Sequence, residues 1–196
     1  MLTFNNLGIT WKSVSLIFLA LLTLLKPGIS LAKCSSYYKN PKLIIAEASE
    51  RGAGTVVAEL YSNSTEWAFL LRQIATGTEA WLKVAVALHP GSDAGASQML
   101  TLSVGEALEN APANVFKIAL GEFQLNLICG APDLDDTRYG SYELAMEAIK
   151  KRQMRISNVT DSRLGAVCSE CIQILDKAKH DIGMFYRKDK SKDGYR

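Results

Sequence analysis

The sequence predicts an all-α fold: an irregular stack of short helices, similar to an α-α superhelix, with a compact helical bundle as the alternative. From Pro41 onward the apolar residues recur at spacings of three and four positions, not two. Gly, Pro, Asn and Asp interrupt this pattern about every ten to twenty residues. Amphipathic segments of that length, joined by short turns, can bury their apolar faces only by packing against one another.

Each predicted helix has its own start and stop residues. Pro41 suits a first helical turn, Gly52 suits a stop, and Asp93 suits the start of a longer helix. Residues 123–129 form the one apolar segment that would also suit a strand. We expect helices at about 41–50, 53–61, 64–77, 78–88, 93–110, 111–121, 141–156 and 162–186, with a polar loop at 130–140.

Two of these helices resemble each other, which favours a helical repeat. The segments that begin at Ser64 and Thr78 each open with Thr-Glu, place a tryptophan shortly afterwards (Trp67 and Trp81) and close at a glycine. A unit of this kind must stack on its neighbours to bury its apolar face. Coincidence between two amphipathic helices is the alternative, and in both interpretations the tryptophans pack in the core.

The first 32 residues have the pattern of a removable secretory signal. Lys12 is positive, residues 14–25 are apolar, and Ser30 and Ala32 are small, so we expect cleavage after Ala32. A retained membrane anchor is the alternative, although a spanning helix needs roughly 20 apolar residues. The chain is thus expected to comprise a signal (1–32), a single helical domain (33–186) and a charged, disordered tail (187–196), and to be periplasmic or secreted.

The charge balance gives no reason to expect nucleic acid as a partner. Of the 22 Lys and Arg residues, Lys12 and Lys26 lie in the predicted signal, which leaves 20 basic residues against 20 acidic ones. Binding to nucleic acid or to an anionic membrane would favour a clear basic excess. The basic run that includes Lys151 and Arg152 is expected to be a solvated helix face. We therefore expect no nucleic acid and no stable membrane insertion after cleavage.

All four cysteines lie outside the predicted signal, and export would allow them to form two disulfides. We favour pairing of Cys34 and Cys129 with Cys168 and Cys171, because the latter two share one predicted helix face, but three connectivities stay open. A redox role for Cys168 and Cys171 is an alternative. A thioredoxin-like pair would need a βαβ setting with its first cysteine at a helix N-terminus.

His89, Ser92 and Asp93 form a candidate binding loop. A base, a hydroxyl and a carboxylate also suggest a hydrolytic triad, but adjacent loop residues seldom reach triad geometry. Capping of the next helix by Ser92 or Asp93 explains the same residues. We therefore assign no catalytic residue, and an enzyme would need a dispersed site such as His89, Asp93 and Glu106. No motif indicates a cofactor or a metal ion.

The stretch from Trp81 to about Ala111 resembles a group of small exported proteobacterial proteins. In that group a tryptophan-containing helix, a Pro-Gly-Thr/Ser-Asp-Ala-Gly turn and a further helix precede a Cys-Gly pair. Here the turn is 90–95 and the pair is Cys129-Gly130. The resemblance covers about half of the mature chain and implies a bacterial periplasmic setting and a repeat-like helical fold. It assigns no catalytic residue, because no activity is established for the group.

Together these patterns favour a periplasmic, non-catalytic module that binds another protein through a groove or a loop edge. An immunity or inhibitor protein that neutralises a toxin or a hydrolase is one version of this hypothesis, because such proteins are small, exported and disulfide-stabilised. The alternatives are an exported enzyme with a dispersed site near His89, and a thiol-disulfide redox protein that uses Cys168 and Cys171.

Overall fold

The computed structural model describes residues 37–130 and 141–193. The predicted signal, Cys34 and nearly all of the predicted 130–140 loop lie outside these residues. By their contacts, residues 36–196 form one compact unit, which alone is considered below. In the described part of the chain, no helix is both long enough and apolar enough to cross a membrane.

The described residues form α-helices without strands, which confirms the all-α stack of short helices. Short 3-10 turns lie at Tyr37–Lys39, His89–Gly91 and Ser162–Leu164. The α-helices are α1 (Pro41–Arg51), α2 (Ala53–Ser62), α3 (Ser64–Ala75), α4 (Glu79–Leu88), α5 (Ala94–Ala107), α6 (Pro112–Ile118), α7 (Leu125–Ile128), α8 (Tyr142–Ser157) and α9 (Gly165–Asp193).

Side-chain caps begin several of the helices where the sequence predicted a start. Asn40 Oδ1 accepts from Lys42 N, and Asp93 Oδ1 accepts from Ala96 N. Each such bond satisfies one of the backbone donors that a helix N-terminus leaves unpaired. Gly52 separates α1 from α2 with a φ of 86°, a conformation that other residues rarely adopt.

One segment differs from the strand alternative. Within 123–129 the chain forms the single helical turn α7, with Phe123 and Ile128 buried at 3% and 1% exposure and Leu127 at 53%. A strand would alternate buried and exposed side chains. Here the consecutive residues Ile128 and Cys129 are both buried, next to the exposed Leu127, so the alternation is absent. The backbone of α9 continues through Asp193, beyond the helix end predicted at about residue 186.

The core lies where the helices stack. Helix α1 packs on α2 and α4, α3 packs on α5, α5 also contacts α7, and α8 pairs with α9. Both tryptophans are buried, as predicted, at 4% exposure for Trp67 and 8% for Trp81. The largest side chains without solvent exposure come from seven helices and one connection, and include Ile44, Leu60, Leu70, Ile74, Leu82, Leu88, Leu100, Leu108, Ile149 and Leu175.

The α8–α9 pair is antiparallel. The rings of Tyr142 and Tyr186 lie 5.8 Å apart, and Gln153 Nε2 donates to Asp176 Oδ1 at 2.8 Å. Between the two contacts the chain advances along α8 from Tyr142 to Gln153 and goes back along α9 from Tyr186 to Asp176 by nearly the same number of residues. The two contacts therefore belong to one antiparallel register.

The expectation of a solvated basic run is wrong for Arg152, which is 2% exposed. Its Nε donates to Glu109 Oε1 at 3.2 Å, and Lys151 Nζ lies 3.2 Å from the other oxygen of that carboxylate. Arg152 Nη1 also donates to the carbonyl of Gly130 at 3.4 Å. The buried guanidinium therefore has a compensating charge, and it links α8 to the segment that follows α5.

Candidate functional site

The loop between α4 and α5 is held against α2. A side chain at Gly91 would overlap the backbone of Ala53 and Gly54, so this approach requires glycine. Ser92 Oγ donates to the carbonyl of His89 at 2.6 Å, which closes the 3-10 turn. The position of His89 is thus fixed by its own loop and by the helix on which the loop lies.

Ser92 and Asp93, two of the three predicted binding-loop residues, have structural roles. Asp93 Oδ1 accepts from Ala96 N at 2.9 Å and caps α5, as the capping interpretation predicted. Its carboxylate is therefore used at a helix start. Glu106, the third residue of the suggested dispersed site, lies near the other end of α5, thirteen residues beyond Asp93 or about 20 Å along the helix axis.

His89 instead meets two residues that the sequence did not indicate. Its Nδ1 lies 2.6 Å from Glu122 Oε1, and its Nε2 lies 3.0 Å from Ser97 Oγ. The ring of Phe123 packs on the imidazole with centroids 4.4 Å apart. We call Ser97, His89 and Glu122 the His89 relay. No sequence signal connects these residues, because they come from a helix, a turn and a loop and His89 and Glu122 are 33 positions apart.

The order of groups in the relay is hydroxyl, imidazole, carboxylate. If Nδ1 donates to Glu122, then Nε2 is left to accept the hydroxyl proton of Ser97. The side chains of His89 and Glu122 are 21% and 30% exposed, so the relay is accessible from solvent but partly shielded. Chemically, such an arrangement can remove a proton from the serine hydroxyl and stabilise the imidazolium that results.

Cys129 and Cys171 form a disulfide with a sequence separation of 42 and a Cα–Cα distance of 5.4 Å. This is one of the long-range pairings that the sequence favoured. Cys168 lies one turn earlier on α9, is buried, and forms no disulfide within the described residues. Burial raises the pKa of its thiol, which makes it a poorer nucleophile at neutral pH. The two neighbouring cysteines of α9 thus differ: Cys171 is bonded to Cys129, and Cys168 is a buried thiol.

A second candidate site is a groove beside α8. Five residues of α8 line a hollow of about 360 Å³: Tyr142, Glu143, Met146, Glu147 and Lys150. We call it the α8–α9 groove, because it lies on α8, the helix that pairs with α9.

Helices α8 and α9 carry several exposed apolar side chains. Among the described residues, eight large hydrophobic side chains are exposed, and half of them lie on these two helices: Tyr142, Leu144, Met154 and Met184. Methionine side chains adapt to irregular partner surfaces. The carboxylates of Glu143 and Glu147, one turn apart, give the groove more acidic than basic groups.

Within the described residues, no three His, Cys, Asp or Glu side chains lie close enough together to hold a metal ion. Comparisons with protein-family models, with curated proteins and with solved structures give no significant match. The resemblance to exported proteobacterial proteins therefore stays a prediction, and function must be argued from the geometry of this chain.

Proposed function

We propose that this chain is a protein-interaction module whose partner binds the α8–α9 groove. The observation that carries the proposal is the groove itself, a hollow of about 360 Å³ with the apolar side chains of Tyr142 and Met146 and the carboxylates of Glu143 and Glu147. Recognition sites in proteins commonly combine an apolar surface with a few placed charged groups.

The chemistry of the groove defines its partner. A fitting segment places an apolar side chain against Tyr142 and Met146 and a Lys or Arg side chain near Glu143 and Glu147. Burial of such surface drives association, and the charge pairs add specificity and orientation.

Export is part of the proposal. The Cys129–Cys171 disulfide supports an oxidising compartment, since such bonds seldom persist in a reducing cytosol. The signal pattern of residues 1–32 supports the periplasm or the exterior of the cell. In the narrower form of the proposal, the partner is a toxin or a hydrolase that this protein neutralises there, as an immunity or inhibitor protein does.

The proposal is tested by affinity capture from a periplasmic extract, with the disulfide-intact protein as bait. Mass spectrometry should find one protein in stoichiometric amount. The purified partner should then bind the Glu143→Lys/Glu147→Lys variant at least tenfold more weakly, because both carboxylates of the groove are reversed.

A matched control is Glu170→Lys/Asp181→Lys, which reverses two exposed charges on the outer face of α9 and changes the net charge equally. This variant should bind as the native protein does. Failure to capture any partner would refute tight protein binding, and equal weakening by both variants would refute the groove as the binding site.

A further inference from the structure

We infer that the His89 relay is a hydrolytic site for carboxylic esters, with Ser97 as the nucleophile, His89 as the general base and Glu122 as the group that orients and stabilises His89. This activity goes beyond the binding role proposed above and uses different elements of the fold. It gives chemistry to a chain that the sequence predicted to be non-catalytic.

The first support is the pair of distances on the two sides of one imidazole. Ser97 Oγ lies 3.0 Å from Nε2, and Glu122 Oε1 lies 2.6 Å from Nδ1. Serine is a weak nucleophile unless an adjacent base takes its proton, and the base acts best when a third group holds its orientation and stabilises its charged form. Here Ser97 is the nucleophile, His89 is the adjacent base and Glu122 is the third group.

The second support is that the imidazole cannot turn freely. The backbone carbonyl of His89 accepts from Ser92 Oγ at 2.6 Å, and Gly91 fixes the loop against α2. The ring of Phe123 packs on the imidazole, with centroids 4.4 Å apart. A base held from three directions keeps its hydrogen-bond geometry without reorganisation. Such preorganisation is what a catalytic base needs, and a histidine that only fills space does not require it.

The third support concerns Ser97 itself. Its backbone carbonyl accepts from Thr101 Oγ1 at 2.8 Å, and its own hydroxyl is directed at His89. Ser97 is the fourth residue of α5, and its backbone N–H donates to the carbonyl of Asp93 at 2.8 Å, so the first turn of the helix holds Ser97 in place.

The reaction has two balanced halves. Ser97 Oγ attacks the ester carbonyl carbon while its proton passes to His89 Nε2, and the tetrahedral adduct then loses the alkoxide, which takes that proton and leaves as an alcohol. Water attacks the acyl-serine, gives a proton to His89, and displaces Ser97 Oγ, which recovers the proton. The products are the acid and the alcohol. We infer an ester because its alkoxide leaves more readily than the amine of an amide.

A fluorophosphonate probe tests the site directly, because Ser97 Oγ would displace fluoride from phosphorus and keep a stable adduct. The disulfide-intact protein is incubated with the probe, and the adduct is located by peptide mass spectrometry. We expect modification at Ser97 and hydrolysis of p-nitrophenyl acetate by the untreated protein, both abolished by Ser97→Ala. The matched control is Ser157→Ala, which removes an exposed hydroxyl that bonds the carbonyl of Gln153 and should change neither result.

Glu122→Gln distinguishes catalysis from a purely structural role. Glutamine can still accept from Nδ1, so the thermal unfolding midpoint should stay unchanged, but it cannot stabilise an imidazolium. The labelling rate at Ser97 should therefore fall by roughly 100-fold or more. Absence of an adduct on Ser97, or equal labelling rates in native protein and Glu122→Gln, would overturn the inference while leaving the binding proposal intact.

Discussion

At the scale of single residues, the interactions that sequence reasoning could reach were local ones. Asp93 was expected to cap α5 and does so, because a cap bonds a backbone amide only three positions away. The partners of His89 could not be predicted, since Ser97 and Glu122 approach it only after α4, α5 and the segment after α6 have packed. Arg152 was misplaced on the solvated face for the same reason: its partner Glu109 is 43 positions away.

The Arg152–Glu109 pair is expected to contribute strongly to the stability of the fold. Glu109→Ala should lower the free energy of unfolding by about 3 kcal/mol, because it leaves a buried guanidinium without its compensating charge. Chemical denaturation at neutral pH measures the loss. The control is Glu79→Ala, whose ion pair with Lys83 is exposed and should contribute much less to stability. Similar losses for the two variants would contradict the prediction.

At the scale of elements, the sequence predicted most helix positions well, because caps, prolines and glycines act within a turn of the residues they affect. The exception is α7. A seven-residue segment with five apolar residues does not by itself distinguish a strand from a helical turn. Its conformation is decided by what it packs against, namely α5, where Gly105 lies so close to Ile128 that no side chain fits between them.

This contact predicts the effect of adding one methyl group. A Cβ at Gly105 would lie 2.8 Å from the carbonyl oxygen of Ile128, so Gly105→Ala should force α7 away from α5 and cost about 1–3 kcal/mol despite the better helix propensity of alanine. Thermal unfolding followed by circular dichroism measures it. Gly121→Ala is the control, because nothing lies within 4 Å of its Cβ. An unchanged midpoint for Gly105→Ala would show that the α5–α7 contact is loose.

At the scale of the whole molecule, several links join the α8–α9 pair to the helices that precede it. They include the disulfide Cys129–Cys171, the pairing of Glu109 with Arg152 and Lys151, and the ion pair of Lys117 with Asp161 at 3.0 Å. The sequence predicted that Cys129 would reach one of the two C-terminal cysteines but could not choose between Cys168 and Cys171, which differ by one helical turn. The choice depends on how α9 is rotated against α7, which only the packed structure determines.

The Cys129–Cys171 disulfide is expected to stabilise the whole fold. Closing a loop across 42 positions restricts the unfolded chain, so Cys129→Ala/Cys171→Ala should lose about 4 kcal/mol relative to the oxidised native protein. Denaturant unfolding with and without a reductant measures the difference, and the reductant should have no effect on the double variant. Cys168→Ala, which leaves this disulfide in place, should lose much less. A loss equal to that of the double variant would indicate a larger role for Cys168.

The pairing of helices that are near neighbours in sequence has a consequence for how the molecule opens. Because α8 meets α9 directly along the chain, this hairpin can assemble through short-range contacts and dock on the preceding helices as a unit. It can also detach as a unit while the rest stays folded, a subglobal opening of the kind that amide hydrogen exchange detects. The disulfide at one end then acts as a tether: it keeps a detached hairpin near its docking surface, and so limits the time during which proteases can reach it.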